Sequence, residues 1–251
     1  MGTDLFIRND HGDGMVEVSL NRAPVNALSA VFLNGLADLL QDLDRDDAVR
    51  AVIFTSPFKV FSAGLDLKEA QGFDLADQNA IVAGLNTVFP ALFGFAKPTV
   101  VAIKGAAIAG GLFFVLASDY RIAGPRASFG LAEIRVGADF PVGPLEIARA
   151  TLDPNTLRRL MLTGRPITAA QALTCGVIDQ IEADEAVLLD RALSAARDLA
   201  ASPPETYNAI KRQIRGATLT LINDAIAAGA NTPEGGWFSD ATKAAMKQMI
   251  G

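Results

Sequence analysis

Cysteine and histidine are almost missing: the 251-residue chain has one of each, Cys175 and His11. A single cysteine excludes any internal disulfide and fits a reducing compartment. Cys175 ends the apolar segment Ala172-Leu173-Thr174-Cys175, where a small buried hydrophobe is a better reading than a nucleophile. His11 lies in the polar turn Asn9-Asp10-His11-Gly12-Asp13-Gly14, whose residues are those of a hairpin, and it is expected to face solvent. Ser-His-Asp and Cys-His catalysis and multi-histidine metal sites therefore fall away, and no metal or redox cofactor is expected. An excess of positive charge is lacking too. Lys and Arg number 22 against 28 Asp and Glu, a formal net charge of −6, which repels nucleic acid. Long hydrophobic runs are absent as well. The longest apolar stretch, 106–117, is too short for a bilayer and carries glycines. No basic segment leads into an apolar one at the start of the chain. The expectation is a cytoplasmic protein with no nucleic-acid or membrane partner.

Present instead are short β-like runs alternating with helical patterns. Val16-Glu17-Val18-Ser19-Leu20 has period two, while Ala51-Val52-Ile53-Phe54-Thr55 and Thr99-Val100-Val101-Ala102-Ile103 are continuously apolar, as buried strands are. Residues 26–45 carry an apolar helical stripe through Phe32, Leu36, Leu40 and Leu43, and a second stripe runs through Ile81, Leu85, Val88 and Leu92 to a stop at Lys97-Pro98. Gly110-Gly111 opens a helix to about Ala117. Residues 120–123 and 127–129 read as a strand pair around a Gly124-Pro125 turn. Beyond about Asp184 only helices are predicted, over 186–201, 204–215, 219–228 and 237–250. The expected fold is α/β, with a core over 1–185 and a helical region over 186–251. That region either folds back on its own core or packs against neighbouring subunits.

Three segments can carry chemistry. Phe61-Ser62-Ala63-Gly64-Leu65-Asp66-Leu67-Lys68 and Ala107-Ile108-Ala109-Gly110-Gly111-Leu112 look like backbone anion cradles, in which glycine allows close approach and unpaired N–H groups face a ligand. One N–H from each loop can hold a thioester oxygen as it becomes an oxyanion. A packing role for the glycines is the plainer alternative. The third segment, Phe129-Gly130-Leu131-Ala132-Glu133-Ile134-Arg135, sets a carboxylate in apolar surroundings. Glu133 is either a buried base of raised pKa or a surface group paired with Arg135 or Arg126.

The order and spacing of these segments resemble the crotonase, or enoyl-CoA hydratase/isomerase, superfamily from about Val16 to Ile181. Asn21-Arg22-Ala23-Pro24-Val25-Asn26-Ala27-Leu28 resembles its first CoA-contacting loop, and residues 61–68 and 106–111 resemble its two oxyanion loops. Leu162-Thr163-Gly164, residues 169–172 and Gly176-Val177-Ile178-Asp179 match its late helical segment. The resemblance implies a spiral of ββα turns, a helical C-terminal trimerisation region, assembly as a homotrimer or a dimer of trimers, and an acyl-CoA thioester substrate. It assigns the oxyanion donors to Leu65 and Gly110 and the base to Glu133. Substrate contacts fall on Ala27, Ala63, Gly64, Asp66, Leu67, Lys68 and Phe113.

Hydratases of this superfamily set two glutamates around a water. Here the first of those positions is Phe113, which cannot transfer a proton, and only Glu133 is retained. One base beside an oxyanion hole suffices for a double-bond shift, so the pattern resembles 3,2-trans-enoyl-CoA isomerases. Another crotonase reaction, or acyl-CoA binding without turnover, stays open. Residues 137–143 fit neither pattern, which makes Asp139 a second, weaker acid/base candidate, with a plain surface-loop Asp as the alternative. Phe113 is either a wall of the acyl pocket or plain core.

Overall fold

A computed structural model describes residues 4–230 and 235–250, with side chains to residue 248. Strands β1 (Phe6–Asp10) and β2 (Met15–Leu20) form an antiparallel hairpin. Its turn takes positive φ at Gly12, Asp13 and Gly14. Helix α1 (Ala30–Arg45) starts at Ser29, whose hydroxyl accepts the Phe32 amide at 3.2 Å. It begins four residues later than its apolar stripe suggests, because residues 21–28 form an irregular loop.

From there the chain repeats one motif. Strands β3 (Ala51–Thr55) and β4 (Val60–Ser62) lead to helices α2 (Leu67–Ala70) and α3 (Leu75–Phe93). Strands β5 (Thr99–Ile103) and β6 (Ala106–Ile108) lead through a 3-10 turn (Ala109–Leu112) to α4 (Phe113–Ala117). Strands β7 (Tyr120–Ala123) and β8 (Ser128–Gly130) lead to α5 (Glu133–Val136), α6 (Val142–Thr151) and α7 (Pro154–Thr163). Each repeat gives one strand to each of two sheets, which makes the ββα spiral. With β9 (Ile167–Thr168), α8 (Ala169–Thr174) and β10 (Gln180–Ile181), the six-stranded sheet has the order β1-β2-β3-β5-β7-β10 and the four-stranded sheet β4-β6-β8-β9. All pairings are parallel except β1–β2 and β8–β9.

Two expectations change. Residues 120–123 and 127–129 do not pair with each other, since β7 and β8 lie in different sheets and the Gly124-Pro125 corner carries the chain between them. The helical patterns over 204–215 and 219–228 are one helix, because Gly216 causes no break. After α9 (Leu188–Ala200), α10 runs unbroken over Pro204–Ala227.

Alternation in the strands decides the layers. Val16, Val18, Val52, Phe54 and Val101 face the main core with α1 and α3. Met15, Ile53, Val100 and Ile122 face the other way, where Leu188, Ala192 and Ala196 of α9 cover them. Helix α10 is tied down by a buried ion cluster: Lys211 Nζ lies 2.6 Å from Asp119 Oδ2, and Arg215 Nη1 3.0 Å from Asp119 Oδ1. Arg215 also donates to the carbonyls of Phe93 and Ala117. The last helix, α11 (Asp240–Ile250), packs on α2 and α5 of its own chain. The segment 186–251 thus divides three ways: α9 on the sheet, α10 on α3 and α6, and α11 across the site described next.

Candidate active site

The loops between strands and helices converge at the carboxyl ends of β4, β6 and β8. Asn26 organises the first of them. Fully buried with φ +46, it donates through Nδ2 to Ser56 Oγ (2.9 Å) and the Phe61 carbonyl (2.8 Å), while its Oδ1 accepts the Arg22 amide (2.8 Å). Ser62 Oγ donates back to the Asn26 carbonyl at 2.8 Å. Loop 21–28 is thereby fastened to loop 61–68. Arg22 adds a 3.0 Å ion pair to Asp66 and a second to Glu69.

The two amide loops touch. Gly64 has φ +79, and a Cβ there would lie 2.7 Å from the Ala109 Cβ and 3.0 Å from the Gly110 nitrogen. Only glycine permits that approach. Leu28 donates to the Gly64 carbonyl at 2.7 Å and accepts from Asp66 at 3.0 Å, which leaves the Leu65 N–H outside this bridge. Gly110 lies in the first turn of the 3-10 segment, where an N–H has no intrahelical acceptor. Ala109 before it holds φ +52, a left-handed conformation that costs a non-glycine residue roughly 1–2 kcal/mol.

Leu65 and Gly110 both line a cavity of about 130 Å³, and Glu133, the first residue of α5, lines it as well. Among the described residues Glu133 is the only acidic side chain on that wall. It is 9% exposed, and its Oε2 has no hydrogen-bond partner among them. Burial pushes the carboxyl from its ordinary 4.5 up to about 8, against only a small lowering by its own backbone amide. The surface pairing open in the sequence does not form with Arg126, which binds Glu185 at 2.7 Å.

The remaining candidates separate. Ala63, Leu67 and Phe113 line the cavity. Phe113 is 1% exposed and packs on Phe89 with ring centroids 5.5 Å apart, so it is pocket wall and core at once. Gly64 lies beneath the wall. Ala27 is half-buried, its carbonyl accepting Arg22 Nη1 at 2.6 Å. Asp66 caps α2 and pairs with Arg22, and Lys68 is exposed beside it, so neither side chain lines the cavity. Of the two readings of Asp139, its position fits the surface-loop one. Its exposed carboxylate accepts the Trp237 indole N–H at 2.8 Å and forms no part of the cavity wall. His11 is half-buried rather than solvent-facing and bonds Glu17 at 3.0 Å. Leu28, Leu85, Pro144, Trp237 and Met246 were missed. They are ordinary apolar residues far apart in the chain, with no local signal that they share a wall.

The sequence model of the family described as "Enoyl-CoA hydratase/isomerase" matches residues 10–232. Human mitochondrial enoyl-CoA delta isomerase 1 is 33% identical over 221 residues, covering 87% of this chain and 73% of the human protein. A probable enoyl-CoA hydratase of Rhizobium meliloti is 33% identical over 206 residues, covering 81% and 79%. The crystal structure of human mitochondrial delta3-delta2-enoyl-CoA isomerase superposes with a TM-score of 0.91 at 29% identity, covering 98% of this chain and 97% of the human one. With its paired amide loops, a glutamate on the wall of their cavity and a family match across most of its length, the chain belongs to the enoyl-CoA hydratase/isomerase family.

Proposed function

We propose that the protein is an enoyl-CoA isomerase that moves a double bond from the 3 to the 2 position. The observation that carries this reading is the cavity wall, with one carboxylate, two amide loops and otherwise apolar side chains. The thioester oxygen binds the N–H groups of Leu65 and Gly110. Ionised Glu133 takes a proton from the alpha carbon, and the electron pair spreads into a dienolate whose oxygen the two amides stabilise. The same carboxyl then returns the proton to the gamma carbon, leaving the double bond conjugated with the carbonyl. One oxyanion donor of this kind is worth about 2.7–4 kcal/mol of transition-state stabilisation. The chemistry needs no metal or redox cofactor. Loops 21–28 and 61–68 take the CoA moiety, and the assembly is a homotrimer or a dimer of trimers.

Hydration is the second reading, because a hydratase-named relative is as similar as the isomerase. It calls for a second acid/base group to orient water, and Phe113 occupies the position such a group would take. A coupled assay with 3-enoyl-CoA and 2-enoyl-CoA decides between them. Isomerisation is expected to exceed hydration, and Glu133→Gln is expected to abolish it while acyl-CoA affinity, measured by calorimetry, stays within a few fold. Hydration in excess, or a fully active Glu133→Gln enzyme, would overturn the proposal.

A further inference from the structure

The C-terminal segment closes the cavity with two side chains, Trp237 and Met246. Apart from Glu133, Trp237 is the only described side chain on the wall that carries an N–H or O–H group or an oxygen. Its indole N–H donates to Asp139 Oδ1 at 2.8 Å and to the Asp139 carbonyl at 3.3 Å. The ring stacks on Phe238 at 5.0 Å, which stacks on Phe73 at 6.4 Å. Phe238 is 3% exposed, and its amide donates to Gln78 Oε1 at 2.9 Å. The indole is therefore held at its polar end by one loop and on its ring face by a buried aromatic stack. A second tie lies nearby, where Thr242 Oγ1 donates to the Gly137 carbonyl at 2.7 Å. The loop that holds Trp237 follows directly on the helix bearing Glu133 and supplies Ala138, Phe140 and Pro141 to the same wall.

We propose that Trp237 sets the length of acyl chain the cavity accepts, and that Asp139 is the positioning residue that holds it there. The inference rests on the acyl-CoA reading. Once the thioester oxygen occupies the Leu65 and Gly110 amides, the rest of the chain fills the remaining cavity and meets its walls. Met246 is unbranched and adapts to what it meets. Phe113 and Leu85 are locked into the core. Trp237 is the bulkiest wall residue, comes from outside the spiral and is fixed by one side-chain acceptor. Removing the indole lengthens the cavity, and removing its acceptor loosens the wall.

Trp237 is the sole tryptophan of the chain, so its emission reports on this wall alone. Saturated hexanoyl-CoA and dodecanoyl-CoA are titrated against the full-length protein by fluorescence and by calorimetry in parallel. Emission is expected to change with hexanoyl-CoA but not with free CoA, and Asp139→Ala is expected to red-shift the unliganded spectrum. In the isomerase assay, Trp237→Ala should raise kcat/KM for a dodecenoyl relative to a hexenoyl substrate by about tenfold or more, the scale of a small change in pocket length. Asp139→Ala should move the ratio the same way by less. Asp139→Asn, which still offers an acceptor, should restore the wild-type ratio, and in a Trp237→Phe background Asp139→Ala should have no effect. Calorimetric binding without any emission change, or an unchanged ratio in a folded Trp237→Ala enzyme, overturns the inference and leaves the acyl-CoA reading standing. Failure of both acyl-CoAs to bind overturns both.

Discussion

At the residue scale the proposed chemistry depends on the environment of one carboxyl. Glu133 is held to about 8, against an ordinary 4.5, because burial disfavours its charged form. The unfolded chain loses this proton near 4.5 and the folded chain keeps it until about 8. Glu133 thus contributes stability that is fully present below 4.5 and is lost as pH rises toward 8, each unit being worth about 1.4 kcal/mol at most. Glu133→Gln should remove that slope and be more stable than wild type by a few kcal/mol above pH 8, as read from denaturant melts across the range. The proposed catalysis runs the other way, since it needs Glu133 ionised, so kcat/KM of the wild type should rise with pH through an inflection near 8. Phe113 offers a second test. Its ring packs on Phe89 as well as lining the cavity, so Phe113→Glu should cost several kcal/mol by melting. A variant as stable as wild type would show that the ring is not core.

At the element scale, the first of the two proposed oxyanion loops is fastened by loop 21–28. Asn26 ties loop 21–28 to Ser56 and Phe61 from a left-handed conformation. Asn26→Ala leaves these buried groups unpaired and puts alanine in a strained backbone. The loss should be roughly 2–4 kcal/mol by denaturant titration, with kcat falling more than affinity as Leu65 is displaced. The sequence marked residues 21–28 as a loop but carried no signal that Asn26 was its anchor, because the partners lie 30 and 35 residues away. Helix starts were missed in the same way, since the apolar stripe placed the start of α1 near residue 26 and not at Ser29. Ser29, Asp74 and Asp153 each cap a helix with an oxygen bonded to an amide two or three residues on.

At the scale of the whole molecule, the spiral leaves one apolar stripe uncovered. Ile210, Ile214 and Leu221 on α10 are 50%, 74% and 51% exposed, at helical spacings that put them on one side. Helix α10 is itself anchored to Asp119 by Lys211 and Arg215, so the stripe is held on the outside. This fits the proposed trimer, and sedimentation should give three or six times the 26.3 kDa chain mass. Ile214→Asp is expected to shift the protein toward monomer without unfolding it. A wild-type monomer would refute the assembly.

Local features were legible in the sequence. Period-two and continuously apolar runs marked β2, β3 and β5, since a strand's burial follows its own alternation. Gly64 and Gly110 marked loops that only glycine can bring together. Phenylalanine at position 113 left Glu133 as the one retained acid. The tertiary structure decided everything that depends on distant segments meeting. The β7–β8 corner sends neighbouring runs to separate sheets, and α10 runs on through Gly216 just after Lys211 and Arg215 anchor it to Asp119. Glu133 could as well have been a surface partner of an arginine. It is instead a buried acid whose Oε2 has no partner among the described residues, in a cavity that Trp237 and Met246, about a hundred positions later, also wall. Burial belongs to the packed whole, and a carboxyl's pKa follows burial, so the residue's identity was local while its chemistry was not.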